Sequence, residues 1–555
     1  MKKLGRREFL GGTLLAVGGA ALAKPFSSRA ASARIEVLVH EQIGTISPNI
    51  YGHFVEHLGA VVYDGIWVGE KSKIANYDGI RKSIVDSIKK IKSPVIRYPG
   101  GCFADSYDWR DGIGERSKRP RRTNFWYGVA GKDVPITSTS RIEPNEFGTN
   151  EFMRFCQLTG AKPYLAANLR GLGAQSLYEW IEYCNSPAGS TTGADQRAAG
   201  SMGSKDPFGV EFWGVGNESW GCGGELTPEE YAQEFRRFTA AYPPYDTPIK
   251  FVGAGASSDD SNWTRGFFAK TREKSESIFA RRLHGWGIHH YSWNVSGGRT
   301  TDWNDGKGDA IKFNHEQYYE LLGEADKIDK YIGQHWQIMG EYDRQHRTKI
   351  FVDEWGSWHK PGTELKPAHL LGQQNTMRDA LVASVTLDIF NRNADKVAMG
   401  NVAQLVNCLH SLFLADEDKF VHTPTYHVFD MFTAHMGARS IRTVFEAPSV
   451  SYDRNGKPAQ LWGLNGSASV SGKQMTLTVT NTHMTEARET EIALRGARIA
   501  SAKARVLSTS DVHAYNSFDN PGAVLPRDES VKVAGDVLVS TFAPASVTQL
   551  QITLT

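Results

Sequence analysis

The chain has 555 residues, 40% of them hydrophobic and 22% charged, an ordinary globular composition that excludes a wholly disordered or fibrous protein. Its 63 Lys and Arg against 61 Asp and Glu leave a net charge of +2, which gives no electrostatic case for nucleic-acid binding. The length exceeds one small core and predicts a large domain with at least one smaller companion.

Residues 1–33 read as an export segment rather than as part of the fold. Arg6 and Arg7 precede Phe9 and Leu10, a Gly/Ala/Leu/Val run extends to about Ala23, and small-x-small sites follow at Ala21–Ala23 and Ala31–Ala33. The paired arginines look like a twin-arginine signal, which implies a periplasmic or secreted mature protein. The alternative, a membrane anchor, needs a longer run less diluted by glycine, and no later run approaches a span, so no membrane crossing is expected after signal removal. Removing this segment takes away six cations and one anion and leaves a mature charge of −3. The five cysteines are scattered, odd in number and without C-x-x-C spacing, so they form neither a disulfide scaffold nor a zinc pattern. One bridge is compatible with them, but spacing does not pair it.

From residue 46 to 437, short apolar runs alternate with helical patterns. Ser93–Tyr98 reads as a buried strand after a helix over Asp78–Ile91, and Lys162–Asn168 follows a helical stretch around Glu151–Leu158. Val210–Gly216 is a third strand. Thr227, Pro228 and Glu230 then open a helix with a cap, a first-turn proline and an acid three residues after the cap. Lys349–Asp353 is another strand and Gln373–Asn391 a long amphipathic helix. Such repeats predict an α/β fold, a (β/α)8 TIM barrel with long insertions such as Trp293–Lys312. Gly253–Ala256 lacks the full dinucleotide fingerprint and reads as a loop after a short strand. Residues 438–555 switch to strict alternation, as in Gln474–Thr480, Leu538–Phe542 and Val547–Leu554, and predict a C-terminal antiparallel β-sandwich. The strand-like Arg34–His40, within residues 34–45, is expected to join it.

In a barrel, chemistry sits where strands end. Two apolar strands end in glutamates beside glycine and tryptophan: Trp213–Glu218, and Phe351–Gly356 with Glu354. Burial keeps one such carboxyl protonated while hydrogen bonds keep another ionised, and two facing each other make a glycosidase pair. Equal weight belongs to two structural salt bridges on spacing alone. Trp220, Trp355 and Trp358, next to the glutamates, read as a sugar platform. His284, His289 and His290 match no common metal spacing, and neighbouring histidines on a strand point to opposite faces. Cys222, with no base evident beside it, reads as a packed or bridged thiol rather than a nucleophile.

The motifs around these residues are more specific. Asn217-Glu218 after a glycine-rich strand end resembles the fourth-strand signature of the retaining glycosidases built on (β/α)8 barrels. Within that clan the chain resembles glycoside hydrolase family 51, the α-L-arabinofuranosidases, over Ile50–His57, Arg97–Asp105, Trp213–Gly224, Asp353–Trp358 and Asn401–Asn407. The resemblance implies that Glu218 is the general acid/base and Glu354 the nucleophile. It implies that Glu56, Arg97, Cys102, Asn217, His289, Tyr291, Trp358 and Gln404 contact or support the sugar, although the family often has asparagine where Cys102 stands. It also implies hexamers.

The implied reaction needs no metal and no cofactor. Glu354 attacks the anomeric carbon as Glu218 protonates the leaving oxygen, and water activated by Glu218 then releases the sugar with retention. Asn217 is placed to bond the 2-hydroxyl, and Arg97 to keep Glu354 ionised. The expected activity is release of terminal α-L-arabinofuranosyl groups from hemicellulose or pectin fragments. Two alternatives are an endo-glucanase or xylanase on the same scaffold, and a non-catalytic carbohydrate-binding protein.

Overall fold

The computed structural model describes residues 33–273, 282–293, 295 and 306–555. Most of the export segment and part of the 293–312 loop therefore lie outside the described residues. Eight parallel strands close a barrel in chain order: β2 (Gly52–Phe54), β3 (Val95–Tyr98), β4 (Lys162–Ala167), β5 (Phe212–Val215), β6 (Lys250–Ser257), β7 (Leu283–Ser292), β8 (Lys349–Ser357) and β9 (Val397–Ala403). Helices surround them, among them the predicted α1 (Lys82–Ile91), α2 (Thr149–Thr159), α3 (Pro228–Phe238) and α5 (Met377–Arg392), and the long α4 (His315–Tyr342), which the sequence patterns did not single out. The expected cap of α3 forms: Thr227 Oγ1 accepts the Glu230 N–H at 3.3 Å, and the Glu230 carboxylate accepts the Thr227 N–H at 2.8 Å.

Val95, Tyr164, Phe212, Val252, Phe351 and Met399, all in the first halves of their strands, pack together inside the barrel. This plug fills its lower half, so a cavity is left to open at the C-terminal ends. Gly253 and Gly255 lie inside β6, which corrects the loop expected there. The glycines are needed for contact with β7: a Cβ on Gly255 would overlap the Gly287 carbonyl, and one on Gly253 would sit 3.0 Å from the Trp286 ring. Close strand approach, rather than ligand contact, accounts for this Gly-x-Gly.

The C-terminal strands form one ten-stranded sheet curling around its own core of Ile35, Val37, Leu477, Val479, Ile492, Leu538 and Leu550 among others. The N-terminal strand β1 (Ala33–Thr45) lies inside this sheet. It runs antiparallel to β10 (Arg439–Glu446) but parallel to β11 (Arg488–Arg495), one parallel pair in an otherwise antiparallel arrangement. Helix α5 is shared by both layers. Its Ser384, Asp388 and Asn391 bond Thr480, Ser467 and Thr478 across the junction.

Candidate active site

Glu218 follows β5, the fourth barrel strand, and Glu354 lies near the end of β8, the seventh. The pairing of β8 slips against both neighbours around Asp353 and Glu354. A bulge of this kind lets two consecutive side chains turn to one side. Asp353 accepts a hydrogen bond from Tyr164 Oη at 2.9 Å inside the barrel, and Glu354 faces the same interior one level higher. The following Trp355 points outward, against Phe390, Phe429 and His410, and is 1% exposed. It belongs to the core, which corrects its reading as a sugar platform.

The two glutamates meet. One oxygen of Glu218, one of Glu354 and one nitrogen of His289 lie within 4.8 Å of one another. His289 stands between them, with Nδ1 2.9 Å from Glu218 Oε1 and 3.6 Å from Glu354 Oε2. Glu354 is held by Arg97, whose Nη1 donates to Oε1 at 2.7 Å, and by Tyr291, whose Oη donates to Oε2 at 2.7 Å. Burial pushes this carboxyl up, but the charges of His289 and Arg97 and the two hydrogen bonds outweigh it and hold it below the usual carboxylate range. Burial likewise pushes His289 down, and the Glu354 and Glu218 carboxylates reverse that and raise it. The second arm of Arg97 donates to Asn217 Oδ1 at 2.6 Å, which leaves the Asn217 amide nitrogen turned toward the cavity wall.

Glu56 is a third buried carboxyl. The Phe103 N–H donates to its Oε1 at 2.9 Å, and Gln404 pairs with it reciprocally, through its side-chain amide at 3.1 Å and the Glu56 N–H at 3.0 Å. Burial, helped by the Glu354 charge, pushes it up to about 7 despite these donors.

These groups open into a cavity of about 510 Å³ lined by Glu56, Cys102, Asn217, Glu218, His289, Tyr291, Glu354, Trp358 and Gln404, with Arg97 beneath. All ten sequence-derived positions are therefore brought together. Tyr291 and Trp358 meet edge to face, with ring centroids 5.1 Å apart. His290 turns away, as alternation requires, toward Ser258 and the Glu324 carbonyl. Cys102 and Cys222 are joined by a disulfide, which settles the pairing that spacing left open and makes Cys102 a bridged wall residue, not a free thiol. The motifs did not find Trp126, Leu58, Leu371, Leu409 and Lys307, which also line the cavity. Trp126 sits in a short turn (Phe125–Gly128) far in sequence from any barrel-strand end, where no periodicity announces it. Lys307, whose Nζ lies 3.8 Å from the Trp358 ring centroid, comes from the long loop.

Among the described residues, three clusters have metal-ligand chemistry, and each is otherwise engaged. Cys102, Glu218 and Cys222 include the disulfide. Asp64, His369 and Asp416 already hold cations, with Lys366 Nζ 2.6 Å from Asp416 and Arg81 3.7 Å from Asp64. Glu218, His289 and Glu354 are the pair just described. No helix among the described residues is long and apolar enough to cross a membrane.

Comparison with known proteins agrees with this geometry. Residues 87–305 match the family model described as α-L-arabinofuranosidase 1 domain, and residues 353–546 the model described as α-L-arabinofuranosidase C-terminal domain. A Bacteroides ovatus protein named intracellular exo-α-L-arabinofuranosidase is 34% identical over 94% of this chain and 96% of its own length. A Bacillus subtilis protein named intracellular exo-α-(1→5)-L-arabinofuranosidase 1 is 26% identical over 93% and 97%. The crystal structure of a family 51 arabinofuranosidase from Xanthomonas axonopodis pv. citri superposes with a TM-score of 0.85 at 32% identity, covering 94% of this chain and all of that one. Both named relatives are intracellular, which points against the periplasmic or secreted placement expected from the N-terminal residues and corrects it.

Proposed function

Because the chain belongs to glycoside hydrolase family 51, the α-L-arabinofuranosidases, we propose that it releases terminal α-L-arabinofuranosyl groups by double displacement, with Glu354 as nucleophile and Glu218 as acid/base. The observation that carries this reading is the meeting of two differently treated carboxyls across one cavity. Glu354 is kept ionised by Arg97, His289 and Tyr291, and an oxygen of Glu218 stands within 4.8 Å of it. Retaining glycosidases place their carboxyl groups about 5–5.5 Å apart, close enough for direct attack and too close for an intervening water.

The steps follow from the contacts. A furanose enters with its anomeric carbon over Glu354, and Glu218 protonates the departing oxygen. Asn217, oriented by Arg97, reaches the 2-hydroxyl, and Glu56 with Gln404 takes the hydroxyls on the far side. Trp358 and Tyr291 form the apolar wall. In the second step Glu218 removes a proton from water, which attacks the glycosyl–Glu354 ester and restores both carboxyls with retained configuration. Glu354, 5% exposed at the base of the cavity, favours entry of a chain end over the middle of a polymer. Arabinose-bearing hemicellulose or pectin fragments fit that requirement. Relatives named exo-arabinofuranosidases disfavour both the endo-glucanase or xylanase reading and the non-catalytic one.

The test is Glu354→Ala. Loss of turnover on aryl α-L-arabinofuranoside with arabinose binding retained supports the assignment, and unchanged turnover removes it. The family resemblance also supports hexamers, which light scattering of the purified protein tests.

A further inference from the structure

We propose that Asp105 is the positioning residue of the acid/base: its buried carboxylate hooks the backbone of Asn217 and thereby fixes Glu218 over the leaving oxygen. This rests on the reading of Glu218 as the acid/base.

Glu218 sits at φ +41°, a left-handed conformation that a residue with a Cβ keeps only when its surroundings impose it. Its side chain does not supply that constraint. The carboxylate touches His289 at 2.9 Å and the Cys222 sulfur at 3.7 Å, both on the cavity side. The constraint lies behind it. The Asn217 N–H donates to Asp105 Oδ2 at 2.9 Å, while Asp105 Oδ1 accepts the Leu169 N–H at 2.7 Å and the Arg170 N–H at 3.0 Å. One fully buried carboxylate, placed just after β3, thus gathers the chain leaving β4 and the chain leaving β5. Arg170 closes the arrangement, its guanidinium donating to the Asp105 carbonyl at 3.2 Å and to the Cys222 carbonyl at 2.9 Å. On the other side, the Gly221 and Gly223 N–H groups donate to the Glu218 carbonyl at 2.7 and 3.1 Å. Gly223 has to be glycine for this, since a Cβ would overlap Asn217 O and stand 2.9 Å from Asp105 Oδ2. The Gly216–Asn217 peptide, one residue ahead of Glu218, and the Glu218–Ser219 peptide after it are therefore both held, and Asp105 holds the first of them from outside the loop. No atom of Asp105 needs to touch the sugar.

Asp105→Asn separates positioning from mere stability. An amide has one acceptor oxygen. Keeping the two bonds at Oδ1 turns its NH2 group toward the Asn217 N–H, donor against donor, so the substitution unhooks Asn217 while leaving Leu169 and Arg170 bound. Displacing an acid/base by a fraction of a bond length costs most where the leaving group needs a proton. The expected result is a loss of about 100-fold in kcat/KM on arabino-oligosaccharide and less than about 5-fold on 2,4-dinitrophenyl arabinofuranoside, with an unchanged circular-dichroism spectrum. Equal losses on the two substrates, or no loss on either, overturn the proposal. Arg170→Ala, at an exposed side chain, is the second variant and stands in if Asp105→Asn does not fold. It is expected to show the same selectivity at smaller amplitude, and a uniform effect there also overturns the proposal. Glu218→Ala is run beside them. If it is selective for poor leaving groups and Asp105→Asn is not, Asp105 loses its role and Glu218 keeps its own. If Glu218→Ala is not selective either, the reading of Glu218 falls and takes this proposal with it.

Discussion

Arg97 Nη1 lies 2.7 Å from Glu354 Oε1 with the two side chains only 2% and 6% exposed, and its other arm reaches Asn217. A buried charge pair is retained when it does something an apolar pair does not. Here it holds the Glu354 carboxyl down where burial alone would push it up, and in the proposed mechanism the same planar fork aims the Asn217 amide at the 2-hydroxyl.

Arg97→Met removes both services at similar bulk. Glu354 then loses the guanidinium charge and hydrogen bond that help hold its carboxyl down, so the acidic limb of the kcat/KM profile moves to higher pH. Activity at neutral pH falls by about 1,000-fold or more, because the transition-state contact of Asn217 loosens at the same time. A pH–rate profile on an aryl arabinofuranoside reads both effects. An acidic limb that stays in place shows that Arg97 does not set the ionisation of Glu354.

Tyr291→Phe isolates one hydrogen bond. The ring keeps its edge against Trp358, and only the hydroxyl at 2.7 Å from Glu354 Oε2 is lost. A hydrogen bond to a charged group contributes about 1.5–3 kcal/mol, so a loss of about 10- to 100-fold in kcat/KM is expected, with a smaller upward move of the acidic limb than for Arg97→Met. A larger move in the phenylalanine variant contradicts this ranking.

The site was legible in the sequence to the extent that it lies at strand ends. Glu218, Glu354, Arg97, Tyr291 and Gln404 each terminate or follow an apolar run, and a barrel brings such ends together whatever the intervening length. What was not legible depends on the third dimension. Trp355 adjoins Glu354 in sequence, yet it leaves the strand on the opposite face and fills the space between barrel and helix. Alternation alone could have shown this, had the bulge at Asp353 and Glu354 been foreseen. Cys102 and Cys222 are 120 residues apart, and only the folded loops bring them to one wall. Asp105 stood inside a quoted motif, but its three partners are backbone N–H groups, which carry no sequence signal. The parallel pairing of β1 with β11 is equally invisible, because one strand's pattern does not encode its neighbours.

Glu218→Ala tests the proposed acid/base role directly. Leaving groups that need protonation slow by about 100- to 10,000-fold, whereas activated aryl arabinofuranosides are slowed far less in their first step. Azide, which needs no base to attack the glycosyl–enzyme, restores turnover of the activated substrates and yields the azide product with retained configuration. Comparable slowing of both substrate classes without azide rescue speaks against the role.

A final expectation concerns stability and the joint between the two layers. Asp388 on α5 is fully buried, with Ser467 Oγ donating to its Oδ1 at 2.6 Å and Thr478 Oγ1 donating to the same oxygen. Among the described residues its Oδ2 has no hydrogen-bond partner. Burial pushes this carboxyl up to about 7, above its value in the unfolded chain, and the hydroxyl donors only partly offset that. A raised acid binds its proton more tightly when folded, so its contribution is fully present below the unfolded value and is lost as pH rises through about 7. Asp388→Asn mimics the protonated form at every pH and keeps an acceptor for both hydroxyls. The variant is expected to match the parent at about pH 4 and to become the more stable of the two by about pH 8, by on the order of 3 kcal/mol. Urea denaturation at the two pH values measures the gap, and a difference that does not grow with pH shows that Asp388 is already ionised in the folded protein.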